Sequence, residues 1–407
     1  MKPSRLNLCP ALLLFACGLF GPLSCAAKGS EPILVMPFDL YDKRIWLPVL
    51  VNGSGPLDFL FDSAAGSSTV SKRAADRLRL STPYVADADG AGDGSQRVAV
   101  ATDLTISIDR LSYRVDRAPL VDLDIVARGT GRHADGLVGR EFLEKYVVEF
   151  DYEKRQMTVY EPDGYQYSGS GTILPIEFKR GGPVLRGALR MPEKPSLPVR
   201  LLIDAPHNGA LLLTSPFVNQ NQLLDSARIL TPRLRSSAIG GVGGDSAEFL
   251  GRAGSLEIGP YSFQRPVTAF SGATGGTLAS GEIDGIIGAE IIRRFRIIYD
   301  FPRRRVILEP GKSLAEPFAA DMSGLKLRFA TAELKAIRVE MVAEGSPAAE
   351  AGIRDHDLLL EVNSRPATDF KLPDLKALFE NEGEVVRLKI ARDSQQREVS
   401  LKLRPLL

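Results

Sequence analysis

The sequence predicts a mainly β fold made of two copies of one unit, followed by a smaller module of different composition. Three observations predict it. First, "ADGLVGREFLEKYVVEFDYEKRQMTVY" (134–160) recurs without a gap as "IDGIIGAEIIRRFRIIYDFPRRRVILE" (283–309), at an offset of 149. Self-similarity on that scale marks a duplicated architecture. Second, an apolar strand that runs into an aspartate and then into small residues precedes each copy: "PLDFLFDSAAGSSTV" before the first, "LPVRLLIDAPHNGALLL" before the second. Third, the composition turns charged after the Pro/Gly/Ala-rich segment "LEPGKSLAEPFAADMSG", a linker from about 309 to 324. A chain of 407 residues is also too long for one ordinary core.

The N-terminus reads as a secretory signal. Lys2 and Arg5 start it, "ALLLFACGLFG" is a short apolar core, and the small residues of "SCAAKGS" suit cleavage after Ala26 or Ala27. The apolar run is short for a membrane span and is broken by Pro and Gly. Cleavage is preferred over lipidation of Cys25, because Pro22 stands where lipoprotein signals usually carry leucine. Loss of residues 1–27 leaves a soluble, exported protein of net charge −1, periplasmic or secreted if the host is bacterial.

In the first unit, Leu57, Phe59 and Phe61 alternate along a strand that ends at Asp62. A carboxylate at the end of a buried strand is costly unless it is hydrogen-bonded or used. "YVADADGAGDGSQRVAVATDLTISI" and, in the second unit, "SSAIGGVGGDSAEFLGRAGSLEIG" read as glycine-tipped hairpins leading into alternating strands. "EFLEKYV" and "EIIRRFR" are the helical turns near the repeat ends. Asp135 and Asp284 are expected to cap the turns into those helices, and Asp151 and Asp300 to close hairpins. Phe59 and Phe150 are expected in the core.

Several function classes are excluded. With 51 Lys and Arg against 50 acids, no basic field invites nucleic acid. All three cysteines fall in the first 25 residues, and His133, His207 and His356 show no ligand spacing, so neither a metal nor a thiol nucleophile is expected. "GAGDG" and "GGVGG" lack a following GK[ST], and the "GKS" at Gly311 has Val306 where a phosphate loop needs glycine. No cofactor is implied.

"FLFDSAAGSSTVS" with "DGLVGREFL", and "LLIDAPHNGALLL" with "DGIIGAEII", resemble the two halves of a retropepsin-like aspartic peptidase over residues 32–310. The resemblance implies two pseudo-symmetric β-barrel lobes, 32–162 and 172–310. It implies that Asp62 and Asp204 meet at the lobe junction as the catalytic pair. Each lobe of that family carries an Asp-[Thr/Ser]-Gly loop crossed from behind by an apolar-apolar-Gly segment. Two close carboxylates share one proton; the ionised one activates a water that attacks a peptide carbonyl, and the neutral one protonates the oxyanion. The hairpins near 88–96 and 239–246 would close as flaps over a peptide or unfolded protein. One chain carries both aspartates, so a monomer can assemble the site.

The loops depart from that motif. Ser63 keeps the hydroxyl, while Ala64 stands in place of glycine and keeps its N–H. Ala205 lacks the hydroxyl that would reach the partner loop, and Pro206 lacks the N–H expected to support Asp204. Fewer donors raise the pair's pKa and loosen its geometry. The alternative to an active endopeptidase is therefore a catalytically impaired protein that binds peptides or partner proteins.

Residues 322–407 resemble a bacterial PDZ domain, a small α+β fold, through "GSPAAEAGI", "LLLEV", the turn "NSRP", and "LPDLKALFENEG" as the groove helix. His356 and Ser364 stand where glycine is usual. The resemblance implies that Gly324, Leu325, Lys326 and Leu327 form the carboxylate-binding loop and first groove strand, receiving a C-terminal peptide by β-augmentation. A structural cap on the two lobes is the other role open to it.

Overall fold

A computed structural model describes residues 30–89, 95–225, 234–237, 245–393 and 395–407. The signal segment and both hairpin tips lie outside the described residues.

The fold is mainly β, and the described residues form four sheets. The repeat shows itself most clearly in the six-stranded sheet that joins the two units. Its order is Leu34–Pro37, Gln156–Tyr160, Val147–Asp151, Phe295–Asp300, Arg305–Pro310 and Thr172–Pro175, three strands from each copy in mirrored order. At the centre, Val148 faces Tyr299 and Phe150 faces Ile297 across an antiparallel pair. Under the offset of 149 these two pairs exchange, so a pseudo-two-fold axis passes through the Glu149–Ile298 pair between them. Phe61, Phe150 and Tyr299 pack their rings where the axis passes, with centroids 4.4 Å apart for Phe61–Phe150 and 5.5 Å for Phe61–Tyr299. One continuous apolar core runs from Leu34 to Phe318 through both lobes.

Each lobe then builds its own sheet with one topology. In the first, Gly136–Val138 lies between Ser54–Phe61, to which it is parallel, and Thr69–Ser71, to which it is antiparallel. In the second, Gly285–Ile287 lies in the same way between Leu197–Ile203 and Leu211–Leu213. The short strand therefore passes behind the loop that links its two neighbours, which is where Asp62 and Asp204 sit. Glycine permits the crossing: a Cβ on Gly139 would lie 2.6 Å from the Ser67 carbonyl carbon, and one on Gly288 2.3 Å from the His207 carbonyl oxygen.

Asp135 and Asp284 do not cap the following helices, as expected from sequence; Gly139 and Gly288 occupy those positions without a side-chain cap. The two carboxylates point back to the preceding strand instead. Asp135 accepts the Asp58 N–H at 3.1 Å and pairs with Arg77, and Asp284 accepts the Arg200 N–H at 2.8 Å and pairs with its guanidinium. The local pattern missed this because the partner strand is some 77 or 84 residues away in sequence. Asp151 closes its hairpin by accepting the Lys154 N–H at 3.0 Å.

The C-terminal domain has a separate core. Its strands Leu325–Phe329, Ile337–Val342, Leu358–Val362, Val385–Arg392 and Gln395–Lys402 form one antiparallel sheet, with helices Pro347–Glu350 and Leu372–Leu378. His356 and Ser364 adopt φ of 72° and 64°, which explains why glycine is usual there. The linker is no free tether. Buried Arg294 donates to the Glu316 carbonyl at 2.5 Å and stacks 3.9 Å from the Phe318 ring centroid. The domain rests on the first lobe: helix Asp124–Thr130 packs against Leu325–Phe329, and Arg128 donates to the Phe329 carbonyl at 3.3 Å.

Candidate active site

The ends of the two equivalent strands present Asp62 and Asp204 to one cavity of about 910 Å³. The anchoring is the same in both lobes. The Asp62 N–H donates to the Val138 carbonyl at 2.9 Å, and the Asp204 N–H donates to the Ile287 carbonyl at 3.0 Å. Ser63 interlocks the loops: its hydroxyl donates to the Ile203 carbonyl at 2.8 Å and accepts the Ala205 N–H at 3.1 Å. Ala205 is buried and has nothing to send back, so the grip runs one way.

Donor counts separate the two carboxylates. Asp62 accepts from the N–H groups of Ala64 at 2.9 Å and Ala65 at 3.0 Å. Ala64 is not in the left-handed region, so its methyl replaces glycine without backbone strain. Asp204 accepts one N–H, from His207 at 3.1 Å. The position equivalent to Ala64 is Pro206, which has no hydrogen to give. Burial pushes both carboxyls well above the usual carboxylate range, and the two Ala amides restrain Asp62. Asp204 is pushed further, because the charge of Asp62 adds to burial; the His207 amide and Arg44 oppose it. Asp62 is thus the better-supported anion of the two.

His207 contributes through its backbone. Its ring is buried, and desolvation with the nearby Arg44 charge pushes its pKa down to about 4, leaving it neutral. Sequence reasoning missed two supports. Glu141 clamps the Asp62 loop, accepting from Ser67 Oγ at 2.7 Å, Ser68 N at 2.8 Å and Ser68 Oγ at 2.9 Å. Arg44 reaches the Asp204 loop, donating from Nε to the Pro206 carbonyl at 2.7 Å. The repeat held a signal for the first, since Glu141 and Glu290 are equivalent in "GREFL" and "GAEII". Nothing local marked Arg44.

The stems of the two hairpins are formed, Tyr84–Asp89 on Ser95–Ile108 and Leu234–Ser237 on Asp245–Arg252. Gly324, Leu325, Lys326 and Leu327 line the same cavity as the aspartates, so the PDZ strand is one wall of the cleft. Two amides of that loop are engaged internally. Gly324 N donates to Asp321 Oδ1 at 2.6 Å, and Leu325 N to Ser323 Oγ at 3.0 Å. Burial pushes the Asp321 carboxyl up to about 7.

Two family models match parts of the chain. The aspartyl protease family model matches residues 47–142, and the PDZ domain model matches residues 338–392. The crystal structure of an aspartic proteinase from Irpex lacteus is 15% identical, with a TM-score of 0.40, over 69% of this chain and 98% of that one. No curated protein matches the chain. The chain thus carries an aspartyl protease match within its first lobe and a C-terminal PDZ domain.

Proposed function

We propose that this protein is an exported aspartic endopeptidase that acts as a monomer on peptides or unfolded protein. The observation that carries the reading is the asymmetric pair: two raised carboxyls in one cavity, Asp62 with two amide donors and Asp204 with one. Between their two apparent pKa values the pair holds a single proton. Ionised Asp62 takes a proton from a water held between the carboxyls, and the resulting hydroxide attacks the scissile carbonyl. Neutral Asp204 gives its proton to the developing oxyanion. The resulting gem-diol then collapses as Asp62 passes the proton it took from water to the leaving nitrogen. Asp204 takes one back from a diol hydroxyl, which releases the amine and the acid and restores the pair. The hairpins would cover the substrate and exclude water, and the PDZ domain would hold the substrate chain along the cleft wall. Export rests on the N-terminal signal pattern.

Cleavage of an unfolded protein between about pH 3 and pH 8, compared with Asp62→Asn, tests the reading. Cuts that vanish with Asp62→Asn support it. Pro206 favours a second reading, a peptide-binding protein on a peptidase fold. Tight binding of extended peptides without any cleavage over that pH range would establish it instead.

A further inference from the structure

Arg44 begins strand Arg44–Val51 of the first lobe, is 3% exposed, and opens on the cleft. A buried guanidinium is costly unless every part of its charge is met. Here it is met by a chain of contacts that crosses three parts of the molecule. Arg44 Nε donates to the Pro206 carbonyl, and Nη1 pairs with the Asp42 carboxylate. Asp42 in turn accepts Lys376 Nζ at 3.0 Å from the PDZ helix Leu372–Leu378, and Asn208 Nδ2 at 3.4 Å from beyond the Asp204 loop. Burial pushes Asp42 up, but the Arg44 and Lys376 cations outweigh it and hold its carboxyl below the usual range. Asp42 is therefore held ionised, while burial pulls the Lys376 ammonium below its ordinary value against the attraction of Asp42.

Pro206 cannot support Asp204 with an N–H, yet its carbonyl is fixed by a cation from the opposite lobe. We propose that Arg44 is the positioning residue of the Asp204 loop, replacing support that the Asp-Ala-Pro sequence has lost, and that the Asp42–Lys376 bridge makes the PDZ domain its brace. This rests on the dyad reading above. Two effects follow. The hydrogen bond fixes where the Asp204 carboxyl points. The positive charge opposes the Asp62 charge and keeps the shared proton removable. The charged and titratable groups around Arg44 are Asp42 and Lys43 in the preceding turn, Asp204 and His207 in the loop, and Lys376 on the PDZ helix; Lys43 is itself paired with Glu290 at 2.5 Å.

The test uses the full-length protein and an unfolded protein substrate, with pH–rate profiles for wild type, Arg44→Met, Arg44→Lys, Lys376→Met and Asp62→Asn. Circular dichroism checks that each variant folds. Arg44→Met should lower kcat about tenfold with little change in KM, since a loop displaced by a fraction of an ångström weakens the transition state and not ground-state binding. It should also move the alkaline limb up by about half a unit or more, because removing a cation makes Asp204 hold its proton to higher pH. Arg44→Lys should return the limb toward wild type, but recover only part of kcat, as an ammonium lacks the planar fork. Lys376→Met should lower kcat about threefold from a site on another domain. Unchanged kcat and limb in folded Arg44→Met, with Asp62→Asn inactive, overturn the inference and leave the dyad standing. If wild type and Asp62→Asn are equally inactive, the dyad reading fails. Carboxyl-carbon NMR titration then decides the inference alone: a raised Asp204 pKa in Arg44→Met supports it, and an unchanged one refutes it.

Discussion

The two aspartate loops occupy equivalent places in the repeat, but beyond the aspartate their sequences, "DSAAGSSTV" and "DAPHNGALLL", share little. The Asp62 loop is self-sufficient: two amides hold its carboxylate, and Glu141 ties Ser67 and Ser68 to the helix behind it. The Asp204 loop is held from outside, by Ser63 of the opposite loop and by Arg44. Glu290, the counterpart of Glu141, turns away to Lys43, Arg293 and Arg294. The second loop keeps its backbone bonds to the helix behind it, gives its carboxylate one amide fewer, and adds a long-range bond from Arg44. The difference teaches that a degenerate motif does not by itself mean a degenerate site, because support can arrive from another lobe.

Removing either carboxylate is the harshest way to break the comparison. Asp62→Asn and Asp204→Asn should each lower cleavage by about a thousandfold or more, and the double variant should be hardly worse than either, since the pair acts as a unit. A single variant that keeps a tenth of wild-type turnover would deny the shared-proton mechanism.

Making the second loop resemble the first sharpens it. Ala205→Thr with Pro206→Gly returns the hydroxyl and the N–H. A gain of about tenfold in kcat would correspond to roughly 1.4 kcal/mol, reasonable for one hydrogen bond to a charged group. A new donor favours ionised Asp204, so the alkaline limb should also move down. Loss of activity would mean that the proline is now required to shape the loop that Arg44 holds.

How much of this was legible follows from range. Strand alternation, the repeated "DGLVG" and "DGIIG", and the PDZ turns are local, so the fold could be read; the family model reaches only the first lobe, and the second is legible through its likeness to the first. The hydrogen bonds from the Ala64 N–H to Asp62 and from the Ser63 hydroxyl across to the other loop follow the local motif in the same way. Arg44 could not be read, because it meets Pro206 across 162 residues, nor could Asp42–Lys376, across 334. The supposed caps at Asp135 and Asp284 failed on the same ground.

The paired glutamates offer a smaller test. Glu141→Gln cannot accept from all its Ser67 and Ser68 donors, because one carboxylate oxygen becomes an NH₂ donor. The expected cost is about 1–3 kcal/mol of stability, read by denaturant unfolding, with a fall in kcat as the Asp62 loop loosens. Glu290→Gln weakens ion pairs with Lys43, Arg293 and Arg294 and takes no hydrogen bond from a loop serine, so it should lower kcat far less than Glu141→Gln. Equal effects of the two substitutions on kcat would show that the loops are not held differently after all.

The smallest expected effect concerns stability against pH, and its sign follows from burial. Asp62 and Asp204 both titrate above their unfolded values, Asp204 the further of the two because the Asp62 charge adds to desolvation. A group whose folded pKa is raised adds stability that is fully present below the unfolded carboxylate pKa, about 4, and is lost as pH rises through the folded value. Wild type should therefore lose stability between about pH 4 and pH 8 as the pair is forced to carry first one charge and then two. Asp204→Asn never carries the second charge. Its advantage over wild type should be small near pH 4 and grow to the order of 1 kcal/mol by pH 8, seen as a higher Tm. Asp321 and the other groups titrate in both proteins and cancel in the difference. Parallel curves of Tm against pH would mean that Asp204 is not the raised member of the pair. The asymmetry between the two loops would then have to lie in geometry alone.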